Sequence, residues 1–187
     1  MYDAMFWGMW LVWLAVWIVM ARSVKATALS ESRAQRLTHI IPLTLAFYLL
    51  AAPHVPWPAL EARFLPLAYW PANLGLVLTF AGLGIAIWAR LWLAGNWSGE
   101  VTLKAGHELI TTGPYRYARH PIYTGLLLAL LGSGIAGGEW RGLLAVALAA
   151  GSFWWKLRRE EALMRSEFGA AYRNYAARVK ALVPGVV

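Results

Sequence analysis

A segment rich in arginine and tyrosine determines how this chain can fold: Gly113-Pro114-Tyr115-Arg116-Tyr117-Ala118-Arg119-His120-Pro121-Ile122-Tyr123-Thr124-Gly125. It joins a polar loop to an apolar run that is almost long enough to cross a membrane. Ionisable side chains at the edge of hydrocarbon are costly, and they mark functional sites by default. We therefore interpret the rest of the chain as positioning this segment and supplying its partners.

The composition indicates an integral membrane protein. Hydrophobic residues make up 60% of the 187 residues and charged residues only 14%. A soluble domain has about 25% charged and roughly 45–50% apolar residues, and here the apolar excess lies in long runs. The absence of cysteine excludes disulfides, thiolate metal sites and a cysteine nucleophile. The net charge of +8 is expected to come from cytoplasmic loops, since no nucleic-acid-binding motif is present.

Five apolar runs are predicted to cross the membrane as helices, at residues 5–21, 38–52, 74–94, 121–137 and 143–155. The second and fifth are shorter than the roughly 20 residues that a bilayer core of about 30 Å requires. The fifth forms a tight hairpin with the fourth and continues, without a helix breaker, into a charged helix from Lys156 to about Lys180. The predicted fold is all-α, with a cytoplasmic loop and the C-terminal helix forming the functional site.

The distribution of lysine and arginine predicts the orientation in the membrane. With the N-terminus outside, 15 of the 17 basic residues lie on the inner side, and only Arg63 and Arg141 lie outside. This bias agrees with the positive-inside rule. The expected location is a bacterial-type inner membrane or its equivalent, with a cytoplasmic catalytic face. The chain is predicted to divide into N-terminal transmembrane helices, residues 1–94, and a catalytic region, residues 95–187.

Small and aromatic residues predict how the helices pack. Gly82-x-Gly84 is interpreted as a close helix contact, because no strand precedes it as a nucleotide-binding fingerprint would require. Gly134 and Gly138 have the small-xxx-small spacing of tightly packed helices. Four tryptophans follow helical spacing in the first run and are interpreted as packing or lipid contacts, with a substrate groove as the alternative: Trp7, Trp10, Trp13 and Trp17.

The start of the fourth run predicts an anion site. Pro121 is a residue favoured at the first position of a helix. The N-terminus of a helix has free N–H groups and a partial positive charge. Arg116 and Arg119 lie within one turn upstream, beside His120. Together these groups suit a carboxylate or a phosphate.

The C-terminal helix carries carboxylates beside an apolar stripe. Spacings of three and four residues place one acid within this stripe: Leu157, Glu161, Met164, Phe168, Tyr172, Tyr175 and Val179. We interpret the two tyrosines as packing residues. Glu160 lies beside the stripe, one turn from Lys156. Two glutamates at a membrane edge are costly unless they contact cations or hydroxyl donors, so they either pair with basic neighbours on a solvated face or belong to a ligand site.

Several motifs occur in order in the second half of the chain: Trp97-Ser98, the run from His107 to Gly125, Glu160-Glu161, Phe168-Gly169, Tyr172, Tyr175 and Val179 to Pro184. This ordered set closely resembles the isoprenylcysteine carboxyl methyltransferase family and its phospholipid N-methyltransferase-like relatives. The resemblance covers about residues 90–185, roughly half of the chain. It implies an integral membrane enzyme that uses S-adenosyl-L-methionine, without a metal.

The resemblance also implies which residues form the site. The cofactor would be held by His107, Glu108, Leu109, Ile110, Gly113, Tyr115, Arg119, His120, Pro121, Ile122, Tyr123 and Glu160. The candidate catalytic residues are His120, Lys156 and Glu161. Lys156 stands where arginine is common in the family, and lysine does not bind a carboxylate bidentately as arginine does.

The methyl acceptor is expected to be lipophilic and to enter from the bilayer between helices. A carboxylate acceptor needs no base, whereas a thiol or an amine must lose a proton to His120, His107 or a glutamate. Prenylated cysteine-like carboxylates, small lipophilic thiols or amines, and phospholipid amines all stay open. Membrane lipids are expected partners, and neither nucleic acid nor an obligate protein partner is expected. The alternative from another class is a histidine-ligated membrane haem or electron-transfer protein.

Overall fold

Helices form the body of the fold. The computed structural model describes residues 2–22, 24, 27–30, 32–97, 101–104 and 108–185. The helices within these ranges are α1 (Tyr2–Ala21), α2 (Arg33–Ala51), α3 (Pro58–Glu61), α4 (Tyr69–Leu93), α5 (Pro121–Gly137) and α6 (Trp140–Arg178). Single 3-10 turns lie at Ala94–Asn96 and Gly113–Arg116.

A short two-stranded ribbon departs from the all-α prediction. Strand β1 (Thr27–Ser30) pairs antiparallel with β2 (Thr102–Lys104), which ties the α1–α2 connection to the loop after α4. Strands of four and three residues are too short to produce a recognisable alternating pattern. The ribbon was therefore not visible in the sequence.

Local sequence signals explain the helix boundaries. The predicted bounds of the fourth run are confirmed, because α5 begins at Pro121 and ends at Gly137. Helix α2 begins five residues before the predicted run, because Ser32 and Gln35 form a capping box. The Ser32 N–H donates to Gln35 Oε1 at 3.1 Å, and the Gln35 N–H donates to Ser32 Oγ at 3.3 Å. As a result Pro42 lies inside α2 rather than at its start.

Helix α6 contains both the fifth apolar run and the charged C-terminal segment, as predicted. Its 39 residues would extend about 58 Å if straight. Gly169 interrupts the helical dihedrals with φ +49° and ψ −119°, so residues 170–178 take a new direction. The chain then returns to the start of α5, where the backbone N–H groups of Arg119 and His120 donate to Lys180 O and Ala181 O at 2.8 and 2.9 Å.

Glycines bring α4 and α5 into backbone contact. A Cβ added at Gly125 would lie 2.5 Å from the carbonyl oxygen of Gly82, and Gly132 meets Gly75 in the same way one heptad further along. The predicted close contact at Gly82 is therefore confirmed, whereas Gly84 faces open space. Thus the backbones of α4 and α5 lie very close together beside the segment from Gly113 to Gly125.

Gly134 and Gly138, which have the small-xxx-small spacing, play two different roles. Gly134 packs against Gly142, where an added Cβ would lie 3.2 Å from the Gly142 carbonyl carbon, so the tight α5–α6 contact is confirmed. Gly138 is instead the capping residue directly after α5, with φ +68° in the left-handed region. Glycine adopts this conformation without the steric cost that a Cβ brings. The α5–α6 hairpin is tight for both reasons.

Replacing Gly82 with alanine is expected to destabilise the protein by about 1–3 kcal/mol, because the added methyl group overpacks the α4–α5 seam. The matched control is Gly84→Ala on the same helix, where nothing lies within 4 Å of the new Cβ. Thermal unfolding in detergent should show a lower Tm for the first variant only. Equal Tm values for the two variants would contradict a close contact between α4 and α5 at Gly82.

Within the part of the chain that the structure describes, two helices are long and apolar enough to cross a membrane, over Ala4–Ala21 and Tyr69–Asn96. Helix α5, with 17 residues, belongs to the shorter apolar helices. Half of the large apolar side chains described on α1 are exposed, among them Leu11, Val12 and Val19. The count of five spans and the division at residue 94 stay predictions.

Candidate active site

The start of α5 lies against the middle of α6, so the two predicted halves of the site are adjacent. Nδ1 of His120 is 3.6 Å from Glu160 Oε2, and Nε2 of His120 is 3.4 Å from Glu161 Oε1. The imidazole thus lies between two carboxylates that are neighbours in sequence. This arrangement depends on the α5–α6 hairpin, which places residues 40 positions apart in contact.

Glu160 is held on the side of the cluster that faces α5. The Tyr123 hydroxyl lies 2.8 and 2.9 Å from its two carboxylate oxygens, and Lys156 Nζ lies 3.8 Å from Oε1. The Tyr123 ring is stacked between two others, with centroids 5.4 Å from His120 and 4.7 Å from Phe153. The interplanar angles are 7° and 10°. This stack fixes the orientations of the imidazole and of the phenol that binds Glu160.

Glu161 is held on the opposite side, by arginines. Arg119 Nε donates to its Oε1 at 2.7 Å, and Arg165 Nη2 donates to its Oε2 at 2.7 Å. Burial by itself raises the pKa of Glu161, but the nearby His120 and Arg119 outweigh burial and lower the pKa to about 2. Arg119 also donates to the carbonyl oxygen of Ala176 at 3.2 Å. The Glu161 carboxylate is therefore ionised and anchors Arg119 to α6.

A cavity of about 400 Å³ opens beside this cluster. Its polar side is formed by Arg119, His120, Tyr123, Lys156 and Glu160. Its apolar side is formed by Trp13, Trp17, Leu43, Leu93, Ile122, Leu126, Phe153, Leu163 and Met164. The loop before α5 and the C-terminal part of α6 complete the lining with Asn96, Trp97, Glu108, Leu109, Ile110, Tyr115, Tyr172 and Tyr175.

Most of the residues implied by the family resemblance line this cavity: Glu108, Leu109, Ile110, Tyr115, Arg119, His120, Ile122, Tyr123, Lys156 and Glu160. Three others lie outside its lining. Glu161 is buried behind the cluster, Pro121 is buried at the first position of α5, and Gly113 packs against the Trp92 indole with φ +58°. His107 lies outside the described residues. The assignment of these residues to a cofactor stays a prediction.

The structure adds cavity residues that the sequence interpretation had placed elsewhere. The sequence favours packing or lipid contacts for Trp13 and Trp17. In the structure their ring centroids are 4.7 Å apart, and both side chains also line the cavity. Tyr172 and Tyr175 were interpreted as packing residues, but both line the cavity. One signal was available for them, because they follow Glu161 on the same helical stripe. Leu43 had no such signal, because its helix carries no motif.

Tyr115 and Tyr175 join the loop to α6. The Tyr175 hydroxyl donates to the carbonyl oxygen of Tyr115 at 2.6 Å, and the Tyr115 hydroxyl donates to Ala89 O at 3.4 Å. Burial raises the pKa of Tyr175 to about 12 and raises the pKa of Tyr115 further. Both phenols therefore stay protonated near neutral pH and act as hydrogen-bond donors that hold the cavity wall together.

Comparisons with known proteins agree with this architecture. The chain is 34% identical over 117 residues to the cobalt-zinc-cadmium resistance protein CzcN of Cupriavidus metallidurans, with 62% of this chain and 51% of that one covered. It is 34% identical over 79 residues to the protein-S-isoprenylcysteine O-methyltransferase of Schizosaccharomyces pombe, with 42% and 34% covered. The chain therefore spans about half the length of the first relative and about a third of the second.

A solved structure supports the same relationship. The eukaryotic intramembrane Ras methyltransferase ICMT (isoprenylcysteine carboxyl methyltransferase) superposes with a TM-score of 0.56 and 25% sequence identity. The match covers 82% of this chain and 52% of that chain. Residues 70–171, more than half of the sequence, match the family model described as phospholipid methyltransferase. These residues contain all of α4 except its first residue, together with α5 and the α6 carboxylates. The chain belongs to the phospholipid methyltransferase family.

Proposed function

We propose that this chain is an integral membrane methyltransferase that uses S-adenosylmethionine and acts on a lipophilic acceptor. The observation that carries this proposal is one cavity with a buried, charged side and an aromatic, apolar side. A methyl transfer between a zwitterionic nucleoside and a lipophilic molecule requires both surfaces within one site. The proposal is supported by the relative named as an O-methyltransferase and by the fold match to an intramembrane methyltransferase.

The cavity fits a nucleoside that carries an amino acid. Its volume of about 400 Å³ lies within the range of roughly 300–1,000 Å³ of small-molecule sites. Nε2 of His120 is buried, and within the part of the chain that the structure describes it makes no hydrogen bond. Glu160 and Arg119 line the cavity with opposite charges, as a zwitterion requires. We assign the binding of S-adenosylmethionine to these groups and to residues 108–110, with Tyr115 and Tyr123.

S-adenosylmethionine, when bound, supplies an electrophilic methyl group on a positively charged sulfur. The chain's own contribution is electrostatic and geometric. Glu160 presents a carboxylate, fixed by Tyr123, in a site of low solvent exposure where its charge acts strongly on a cation. The stacked rings of His120, Tyr123 and Phe153 exclude water from one wall. Alignment and exclusion of water are the main tasks of such a site.

His120 is the candidate general base for an acceptor that must lose a proton. Both of its ring nitrogens face carboxylates, Nδ1 at 3.6 Å from Glu160 and Nε2 at 3.4 Å from Glu161, so a proton that reaches the imidazole can pass to a carboxylate. Histidine is the side chain that most often serves as a general base in enzymes. In this proposal Glu161 is a positioning residue, because it contacts His120 and Arg119 but does not line the cavity.

The acceptor is proposed to be slender and to carry an anionic or neutral head. The whole cavity of about 400 Å³ must accommodate two ligands, so only the reacting end of the acceptor enters it. Lys156 lines the cavity and is only 7% exposed, and its positive charge favours a carboxylate or thiolate over a protonated amine. The tail would extend past Trp13, Trp17 and Leu43 towards the bilayer.

A phospholipid N-methyltransferase is the second candidate, because the matching family model carries that substrate class in its description. It differs from the first in the acceptor alone. Incubating the purified protein in nanodiscs with methyl-labelled S-adenosylmethionine and lipid extracts, followed by mass spectrometry, separates the two. Labelled phosphatidylethanolamine derivatives would favour the second candidate, and a labelled ester or thioether would favour the first.

A histidine-ligated haem protein is disfavoured by the surroundings of His54 and His120. Both ring nitrogens of His120 face carboxylates, at 3.6 and 3.4 Å. His54 lies in the α2–α3 connection, where its Nδ1 is 3.4 Å from Glu61. A haem needs ligand nitrogens that face each other across the bundle, so a Soret band in the purified protein would be required to revive this alternative.

The proposed orientation has the N-terminus outside and the cavity opening to the cytoplasm of a bacterial-type inner membrane or its equivalent. It is supported by two cation–π pairs where α6 leaves its apolar run. Arg158 and Arg159 lie over Trp154 and Trp155 at 5.8 and 4.6 Å. Tryptophan and arginine together are typical of the inner membrane interface. Anionic lipid headgroups are the partners expected there.

Isothermal titration of the detergent-solubilised protein with S-adenosylhomocysteine tests the proposed function directly. We expect saturable binding with one site per chain, because the polar side of the cavity is preformed by Tyr123, His120 and Glu160. Circular dichroism of the same sample is the control for folding. A folded protein that binds no S-adenosylhomocysteine would exclude the proposed function.

A further inference from the structure

Tyr172 has a position in the cavity that the proposed function does not yet use. It lies three residues after Gly169, where the left-handed φ of +49° redirects α6. The new direction brings the side chain of Tyr172 to the cavity wall, although only 3% of the residue is exposed. A buried side chain that lines a ligand cavity is placed to contact whatever the cavity holds.

The hydroxyl groups of Tyr172 and Tyr175 differ in their partners. The Tyr175 hydroxyl donates to Tyr115 O at 2.6 Å and so serves the structure of the wall. Among the described residues, the hydroxyl of Tyr172 makes no hydrogen bond, and the ring is instead in contact with Tyr175 and Arg165. The residue as a whole is buried, and its hydroxyl is left to donate to a ligand in the cavity that it lines.

The charges around Tyr172 favour an anionic group. Arg119 and Arg165 both bind Glu161, so the three side chains leave one net positive charge next to the phenol. Burial raises the pKa of Tyr172, and the Glu161 carboxylate adds to this effect, so the hydroxyl stays a donor at physiological pH. Glu160 supplies the opposite charge on the same cavity wall. The two sides together match the carboxylate and ammonium of an α-amino acid.

We propose that the Tyr172 hydroxyl binds the amino-acid carboxylate of S-adenosylmethionine, at the corner of the cavity formed with Arg119. This inference rests on the proposed function, because it needs the cofactor to bind in this cavity. Tyr172 is then a binding residue that recognises the amino-acid part, whereas Tyr175 is a structural residue of the same helix.

The test compares two ligands and two matched variants. S-adenosylhomocysteine carries the amino acid, and 5′-methylthioadenosine has the same nucleoside without it. Tyr172→Phe removes only the proposed ligand-binding hydroxyl, and Tyr175→Phe removes only the hydroxyl bonded to Tyr115. Affinities are measured by titration of the full chain in detergent, and Tm is recorded for each variant.

We expect Tyr172→Phe to weaken S-adenosylhomocysteine binding by about tenfold to a hundredfold, the range for a hydrogen bond to a charged group. Its affinity for methylthioadenosine should stay within about twofold of the unsubstituted protein. Tyr175→Phe should lower Tm and leave the ratio of the two affinities unchanged. Equal losses for both ligands in Tyr172→Phe, or no loss for either, would overturn the inference. If the unsubstituted protein binds neither ligand, the proposed function fails instead.

Discussion

Replacing Glu160 with glutamine is expected to weaken the binding of S-adenosylmethionine by about 30-fold or more, as removing one partner of a buried charge pair typically costs 2–5 kcal/mol. The amide keeps the size of the side chain but removes its charge. Lys156 and His120, at 3.8 and 3.6 Å, would then face the cavity without their carboxylate. The positive charge of Lys156 would repel a cationic ligand. Titration calorimetry with S-adenosylmethionine measures the effect.

The matched control for this prediction is Glu167→Gln, which removes the same charge from an exposed position on the same helix. It does not line the cavity and should leave the affinity within about twofold. A similar loss in both variants would mean that net charge, rather than the position of Glu160, governs binding. Wild-type affinity in Glu160→Gln would place the cofactor away from Tyr123 and His120.

Replacing Glu161 with glutamine is expected to have the largest effect on stability, because it breaks a buried ion pair. Removing one partner of such a pair typically costs about 3–5 kcal/mol. Arg119 would keep its bonds to carbonyl oxygens but lose the charge that compensates it. Because Arg119 and His120 also pair with the returning C-terminal segment, the start of α5 should loosen as well. Thermal unfolding in detergent at neutral pH measures the loss.

The pH dependence of stability provides a second measurement for the same residue. The pKa of Glu161 is lowered to about 2 in the folded protein, from an ordinary value of 4.5 that we take for the unfolded chain. A carboxyl group with a lowered folded pKa contributes stability that is complete above the unfolded pKa and is lost as pH falls through the folded pKa. The unsubstituted protein should therefore lose stability between pH 4.5 and pH 2, and Glu161→Gln should lose less over that interval.

Arg165→Gln is the control for Glu161, because it removes the other guanidinium bound to the same carboxylate. The Arg165 side chain is 49% exposed, whereas that of Arg119 is 12% exposed. A solvent-exposed ion pair contributes only about 0–1 kcal/mol. A loss in Arg165→Gln as large as that in Glu161→Gln would show that the buried pair with Arg119 is not the stabilising contact.

Much of the candidate site could be identified from the sequence, because its groups are costly at a membrane edge. The dense cluster around His120 and the Glu160-Glu161 pair stand out against apolar surroundings. Pro121 marked the first residue of α5, and the structure begins the helix there. What the sequence left open was which side chains hold each glutamate. Neighbouring residues on a helix differ by about 100° in direction, so only the packing of α5 on α6 assigns Tyr123 to one and Arg119 to the other.

The helices without motifs were the part of the site that the sequence did not identify. Trp13, Trp17 and Leu43 resemble any lipid-facing apolar residues, because a side chain in a membrane helix can face lipid, another helix or a ligand with the same hydrophobicity. The sequence also did not reveal that Gly169 would turn the end of α6 towards the cavity. A left-handed glycine inside a helix has no local signature beyond the glycine itself.

The segment from Gly113 to Gly125 determined by itself that this protein has a polar site at the start of an apolar helix. Composition and periodicity added the helical class, and the order of the motifs pointed to the family. Only the tertiary structure decided which side chains share the cavity, since contacts between Tyr123 and Glu160 or Arg119 and Glu161 join residues about 40 positions apart. Such contacts depend on the glycine-mediated approach of α4 and α5 and on the α5–α6 hairpin. Local sequence specifies each helix, but the distance between helices depends on which small residues meet across them.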